Sequence, residues 1–413
     1  MKMDADYSRA TDRATERGSD GLTVLGLETS CDETAASVVR LSAAGAQVLS
    51  SVIHSQIDDH AAYGGVVPEI AARSHVEMID GVTRRAMNEA GLDWSALDGV
   101  AATAGPGLVG GVMVGLSYGK AAALARGLPL IAVNHLEGHA VSARLGAETT
   151  YPFLLLLVSG GHCQLLEVRG IGDMSRLGTT IDDAAGEAFD KIAKAMGLGY
   201  PGGPALERLA ASGDGSRFEL PRALLARKDC DFSFSGLKTA ASRLAQTCET
   251  EQDRADLADA VQKAIARQLA ERTERAMKDY AEAHPELADG ALKQPSPVGE
   301  AVGLEQAALK QPSAEREAVG RKLFVVAGGV AANKTIRRTL EDLATKHGFA
   351  FLAPPMAYCT DNAAMIALAG AERLEKGLTS DLDVAARPRW PLDETRASVD
   401  PVHKKTGRKG AKA

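Results

Sequence analysis

Two segments of this chain share one layout, and that repetition limits the folds open to it. Residues 23–39, TVLGLETSCDETAASVV, pass from an apolar strand through a short turn into a second strand. Residues 153–168, FLLLLVSGGHCQLLEV, do the same. Strand–helix units follow the first copy. A helix over Pro68–Ala90 has Pro in its first turn, where the missing N–H costs nothing. A buried strand over Asp98–Thr103 leads through GPGLVGG into a helix ending near Ala125, and LPLIAVN leads into a helix beginning near His135. Two such openings predict an internally duplicated α/β fold. At 413 residues there is enough chain for two packed domains. Forty-two glycines and only 4% aromatic residues suit tight turns held close to a ligand.

This layout gives five segments. Residues 1–20 form a charged, disordered extension. Residues 21–150 are the first domain and 151–392 the second, and the helix after Asp361 packs back on the first. An insertion at 284–321 interrupts the second domain, where ALKQPSPVGEAVG returns as ALKQPSAEREAVG, without an apolar stripe. Residues 393–413 are a basic tail, read as a solvated terminus or a nonspecific RNA contact.

Several classes of protein are excluded. No apolar run approaches a membrane span, and the N-terminus lacks the apolar core of a secretory signal. Five cysteines without a CxxC pair argue against a disulfide scaffold and point to a reducing compartment, so the expected location is the cytoplasm. A net charge of −7 means that any nucleic-acid contact is local or shared with a partner.

Four constellations carry chemistry. In His135-Leu136-Glu137-Gly138-His139 the imidazoles stand four apart, so on a helix both face one ion. Leu136 stands where a zinc protease has its glutamate, which argues against that class. Asp361, at a loop-to-helix junction, is the candidate third ligand, with helix N-capping its alternative or additional role. Two imidazoles and one carboxylate leave positions open for substrate. Val158-Ser159-Gly160-Gly161-His162 and Gly26-Leu27-Glu28-Thr29-Ser30 are either tight hairpins or cradles of backbone N–H groups. Gly328-Gly329-Val330-Ala331-Ala332-Asn333 follows a strand, and Asn333 either reaches a nucleotide or caps the next helix. Tyr200-Pro201-Gly202-Gly203-Pro204 either walls a ribose or ends a helix. Between these, Asp183, Glu187 and Asp190 read as one face of a helix, either solvated or organising the site, with Glu187 or Asp190 free to hold ribose hydroxyls.

Taken together, LGLETSCDETAAS, HAAYGGVVPEIAAR, AGPGLVGG, NHLEGH, LLVSGGH, IDDAAGEAFDK, YPGGP, DFSFSGLKT, AGGVAANK, CTDNAAM and RPRWPL resemble the universal threonylcarbamoyl-adenosine transferase family, bacterial type, once described as O-sialoglycoprotein endopeptidases. The resemblance runs from Val24 to Leu392 and implies a duplicated actin-like ATPase fold, with the nucleotide in a central cleft. It implies transfer of a threonylcarbamoyl group from threonylcarbamoyl-AMP to N6 of the adenosine 3′ of the anticodon (position 37), in tRNAs reading codons that begin with A. By motif match, His135, His139 and Asp361 hold a divalent metal, iron(II) with zinc as the alternative. Leu157, Val158, Ser159, Gly160 and Gly161 line the substrate, and Asp190, Gly203 and Asn333 hold its adenosine part. The resemblance further implies two partners, an inactive paralogue of similar fold and a small P-loop ATPase. Candidate general bases are Glu28, Asp32, Glu33 and His162. Asn134 stands before the first ligand where many relatives carry His, which leaves the ligand pair intact. The rival readings are an ATP-driven phosphotransferase, a noncatalytic nucleotide-binding scaffold and, third, a peptidase.

Overall fold

The computed structural model describes residues 21–147, 149–289 and 320–399. The N-terminal extension, residues 290–319 of the insertion and the tail from residue 400 lie outside the described residues.

Two five-stranded sheets form the frame. The first contains β1 (Leu22–Glu28), β2 (Glu33–Ser42), β3 (Gly45–Ser55), β4 (Gly99–Gly105) and β5 (Leu130–Asn134). The second contains β6 (Phe153–Val158), β7 (Cys163–Gly170), β8 (Asp173–Thr179), β9 (Leu323–Ala327) and β10 (Ala350–Leu352). The order is β3-β2-β1-β4-β5 in one and β8-β7-β6-β9-β10 in the other. In each, an antiparallel three-strand meander is extended by two parallel strands. One topology built twice is what the repeated sequence layout predicts. The strands β1, β4, β5, β6 and β9 are buried almost throughout, because helices cover both faces.

Helices α1 (Ile57–Ala61), α2 (Pro68–Ala90), α3 (Val109–Arg126) and α4 (His135–Val141) belong to the first half. α2 has the predicted bounds, with Pro at its start and Gly91 in the left-handed region, φ 65°, at its end. Helices α5 (Ala185–Ala195), α6 (Gly202–Ala210), α7 (Ser235–Ala245), α8 (Glu251–Ala283), α9 (Lys334–Lys346), α10 (Ala363–Glu375) and α11 (Glu394–Val399) follow. α2 and α3 cover one face of the first sheet around Leu25, Leu27 and Val100. α10 comes from the far end of the chain to cover the other face, around Val24, Val39 and Ala101. That contact is backbone-close. A Cβ on Gly26 would lie 2.4 Å from the Ala363 carbonyl oxygen, and one on Gly370 2.4 Å from Ala101 Cβ. The Ala/Gly-rich run AAMIALAGA is therefore a packing surface, and it fixes Asp361, two residues before α10, close to the first sheet.

Three sequence readings change. Asp182 and Asp183 precede α5 and are not on it. Asp182 instead accepts hydrogen bonds from Ser233 Oγ (2.5 Å), the Phe234 amide (2.8 Å) and Ser235 Oγ (2.7 Å), which ties the start of α7. Asp183 pairs with Lys191 and Lys238, and Glu187 with Lys191, so these acids hold the fold locally. The ends of the insertion are ordered: His284 bonds Glu167 at 2.9 Å, and Ala288 pairs with Arg321. The chain also stays ordered past residue 392, where Asp393 accepts from the Arg176 amide at 2.9 Å and α11 follows.

Candidate functional site

β5 ends in Asn134, whose side-chain oxygen accepts from the Leu136 amide at 2.9 Å and starts α4. All seven residues of α4 are buried, including His135, Glu137 and His139. A buried helix with this many polar groups requires partners for them. Glu137 pairs with Arg373 on α10 at 2.8 Å. The imidazoles of His135 and His139 meet edge to face, with centroids 4.7 Å apart.

Asp361 faces both rings from a position 222 residues away, with Oδ1 3.0 Å from His139 Nε2 and 3.6 Å from His135 Nε2. Asn362, not Asp361, caps α10, accepting from the Met365 amide at 3.0 Å. The neighbour's capping leaves the Asp361 carboxylate for the imidazoles. The ligand atoms of the three residues lie within 4.8 Å of one another.

Glu28, at the end of β1, is fixed behind this group. Its carboxylate takes His135 Nδ1 at 2.9 Å, Thr103 Oγ1 at 2.6 Å and the Ser30 amide at 2.5 Å. It is 1% exposed, so it orients the ring. Burial opposes a charged His135, but Glu28 and Asp361 overcome it and push its pKa up to about 9. Burial likewise opposes an ionised Asp361, and His135 and His139 overcome it, holding that carboxyl below its usual range. Glu33 is pushed well up by burial, then by Asp361 and Asp32. So many carboxylates around one spot demand positive charge. His139 Nδ1 is buried without a hydrogen-bond partner. Two Nε2 atoms from buried imidazoles and an oxygen of the half-buried Asp361 carboxylate fit a divalent cation of the transition series, and such an ion would take the place of the His135 proton.

Across from this group, the ends of β6 and β9 carry glycine turns. Leu157 and Val158 are wholly buried and contribute the strand that carries the turn, not exposed side chains. The Ser159 amide donates to His162 O at 2.8 Å, and the His162 amide to Ser159 Oγ at 3.2 Å. Cβ atoms on Gly160 or Gly161 would meet nothing within 4 Å, so the turn is open on its outer side. Gly186, at the start of α5, packs on it from behind, where a Cβ would lie 2.7 Å from Gly160 Cα. Gly328 has φ 96°, and its Cβ would lie 2.5 Å from the Val158 carbonyl oxygen, so only glycine fits there.

Asp190 accepts from the Gly202 amide at 2.9 Å, and burial raises its pKa against those backbone donors. Gly203 is open on its Cβ side. Asn333 caps α9 through Oδ1 to the Ile336 amide at 3.0 Å and reaches Gln262 at 3.4 Å, so the capping role holds. Asp32 is buried beside Glu33, and His162 helps hold Asp361 ionised. Thr103, as a partner of Glu28, escaped the sequence reading. Thr103 could have been found by noticing that β4, pairing parallel beside β1, brings it level with Glu28.

The model of a protein family described as tRNA N6-adenosine threonylcarbamoyltransferase matches residues 47–368. The protein of that name from Caulobacter vibrioides is 64% identical over 393 residues, covering 95% of this chain and 98% of that protein. The one from Maricaulis maris is 53% identical, covering 95% and 96%. This chain belongs to the tRNA N6-adenosine threonylcarbamoyltransferase family. It is a transferase of tRNA modification, and the phosphotransferase, scaffold and peptidase readings fall. Among solved structures, HypF from T. kodakarensis aligns over 87% of this chain and 48% of its own length, with a TM-score of 0.50 at 14% identity, a likeness of fold alone. The duplicated sheets of this transferase are thus of the actin-like type. Among its described residues no helix is long and apolar enough to cross a membrane.

Proposed function

We propose that this enzyme transfers the threonylcarbamoyl group of threonylcarbamoyl-AMP to N6 of adenosine 37 in tRNAs reading codons that begin with A, releasing AMP. The observation that carries this reading is the convergence of His135, His139 and Asp361 opposite an open glycine turn. The donor is a mixed carboxyl–phosphate anhydride. The N6–carbonyl bond forms, the carbonyl–oxygen bond to phosphate breaks, and the N6 proton leaves to a base. Iron(II), or zinc in its place, held by His135, His139 and Asp361, would supply Lewis acidity toward the donor's oxygens.

The protein's own residues position and polarise. Glu28 keeps His135 Nδ1 engaged, so that Nε2 faces the site. The Gly160 and Gly161 amides would face the anionic phosphate and the developing oxyanion. Asp190, Gly203 at the start of α6 and Asn333 hold the adenosine part of the donor. Asp32, Glu33 and His162 are the candidates to accept the proton. Glu28 is not among them, because its oxygens are engaged. The target base must leave its stack, which an anticodon loop permits at low cost. With a net charge of −7 the chain requires help to hold tRNA, and an inactive paralogue and a small P-loop ATPase are the proposed partners, in the cytoplasm. The two halves, divided near residue 150, are the two domains flanking the cleft.

The test is direct. The enzyme and its partners are incubated with threonylcarbamoyl-AMP and unmodified tRNA, and nucleosides are analysed. The modified adenosine and AMP are expected in equal amounts. Absence of product, or His135→Ala turning over like wild type, would remove the reading.

A further inference from the structure

The short helix α4 is held along the length of α10. Just ahead of α10, Asp361 faces the imidazoles of His135 and His139. Farther along, a Cβ on Gly138 would lie 2.8 Å from Ile366 Cδ1, so the two helices meet with no room between them. Near the far end, Arg373 Nη1 donates to Glu137 Oε2 at 2.8 Å. The span from Ala363 to Arg373 is about 15 Å of helix.

Glu137 stands two residues from each imidazole, which puts it on the opposite face of α4. It is only 2% exposed, and a carboxylate so buried requires paired partners. Its second oxygen, Oε1, accepts from the Gly172 amide at 2.8 Å. Gly172 lies in the turn between β7 and β8, in the second sheet. Lys376, just past α10, donates to the Ile171 carbonyl of the same turn at 3.4 Å. Arg373 Nε is buried without a hydrogen-bond partner among the described residues, so the guanidinium leans on Glu137. One carboxylate therefore joins the helix of the imidazoles, the helix behind Asp361 and a turn of the other half.

We infer that Glu137 is a positioning residue for the ion site, and that its ion pair with Arg373 sets where the imidazole pair stands relative to Asp361. A helix held at both ends of its contact with α10 neither swings nor slides, so the ligand atoms are arranged in advance. The Gly172 amide fixes Glu137 in turn, which ties the ion site to the half that carries the glycine turn. The inference rests on the reading of His135, His139 and Asp361 as ligands of a divalent cation.

The affinity of the full-length protein for Co2+ is measured by competition against a chelator, and the visible absorption of the bound cobalt reports its coordination. Glu137→Gln keeps a carbonyl for the Gly172 amide but ends the ion pair, and Arg373→Met ends it from the other side. Each should weaken Co2+ about tenfold and alter the cobalt bands. Arg373→Lys keeps a charge beside Glu137 and should stay within about threefold of wild type. The double variant should bind no more weakly than the weaker single one, because both changes act through one contact. It also leaves no unpaired buried charge, so it carries the test where a single variant fails to fold. Affinities are read well below each melting temperature, since a role in stability alone would lower Tm and leave affinity and bands unchanged. Co2+ affinity within about twofold of wild type, with unaltered bands, in the folded variants would overturn the inference whatever the change in Tm. His139→Ala separates the layers. If it abolishes binding while the pair variants leave it intact, the inference falls and the ion reading stands. If it too binds like wild type, both fall.

Discussion

The two strand turns that open the two halves occupy equivalent places and have opposite characters. The turn after β1 is filled with side chains: Glu28, Thr29, Ser30 and Asp32 are all buried, and Glu28 carries three hydrogen-bonded groups. The turn after β6 holds glycines whose Cβ positions face empty space. One topology was used twice, once to build a charged floor from side chains and once to leave bare backbone. The difference teaches where each kind of recognition resides. On the proposed reading, His135 and His139 of the first half grip an ion together with Asp361 ahead of α10, while the turn after β6 presents amides to an anion.

If that division holds, variants at the charged floor should alter ion binding and variants at the glycine turn should not. The largest effect is expected at the ligands. Asp361→Ala and His139→Ala should lose the ion by elemental analysis, and turnover should fall about a thousandfold or more, since the ion supplies several kcal/mol of transition-state stabilisation. A variant that retains both ion and turnover would break the comparison at its root.

Next comes Glu28→Gln. It leaves the ligands in place but replaces the acceptor behind His135. Loss of the group that holds a ligating imidazole weakens metal affinity about 10–100-fold, and competition against a chelator measures it. The Ser159–Gly161 turn has no counterpart to this coupling, so equal ion loss from a variant there would erase the distinction. Gly328→Ala tests the rear support of that turn. A methyl at φ 96° meets the Val158 carbonyl oxygen, so about 1–3 kcal/mol of stability should be lost in urea melts, with the ion still bound.

How much of this was legible in advance follows from the range of the forces involved. Apolar runs such as Phe153–Val158 show themselves, because a strand buried on both faces needs every residue apolar. The pairing of His135 with His139 is a local matter of helix period. The meeting with Asp361 is not, since it depends on α10 returning across the first sheet through Gly26 and Gly370. Composition says nothing of that approach; Asp361 is a candidate by its place at a loop-to-helix junction, and the family resemblance adds to it. The acids at 182–190 misled because charge spacing does not say where a helix begins. Only the distant Ser233 and Ser235 explain why Asp182 stays outside α5. Asn333 was legible as a cap because capping is local, whereas the hold of Glu137 on Arg373 and the Gly172 amide requires both halves in place.

The smallest expected effect is the sharpest probe of the contrast. Gly160 has open space where a Cβ would stand, and its φ is not in the left-handed region. Gly160→Ala should therefore leave stability within about 0.5 kcal/mol of wild type. Ion content should not change, because none of the three ligand residues belongs to the turn. AMP affinity should fall severalfold all the same, since a methyl there intrudes only on what approaches the amides from outside. Calorimetry with AMP and a urea melt on one preparation decide the matter. Unchanged AMP affinity would mean that the glycines of the second turn serve the hairpin alone. A loss of stability would mean that the turn is packed after all, and the contrast with Glu28 and its neighbours would reduce to one of residue size.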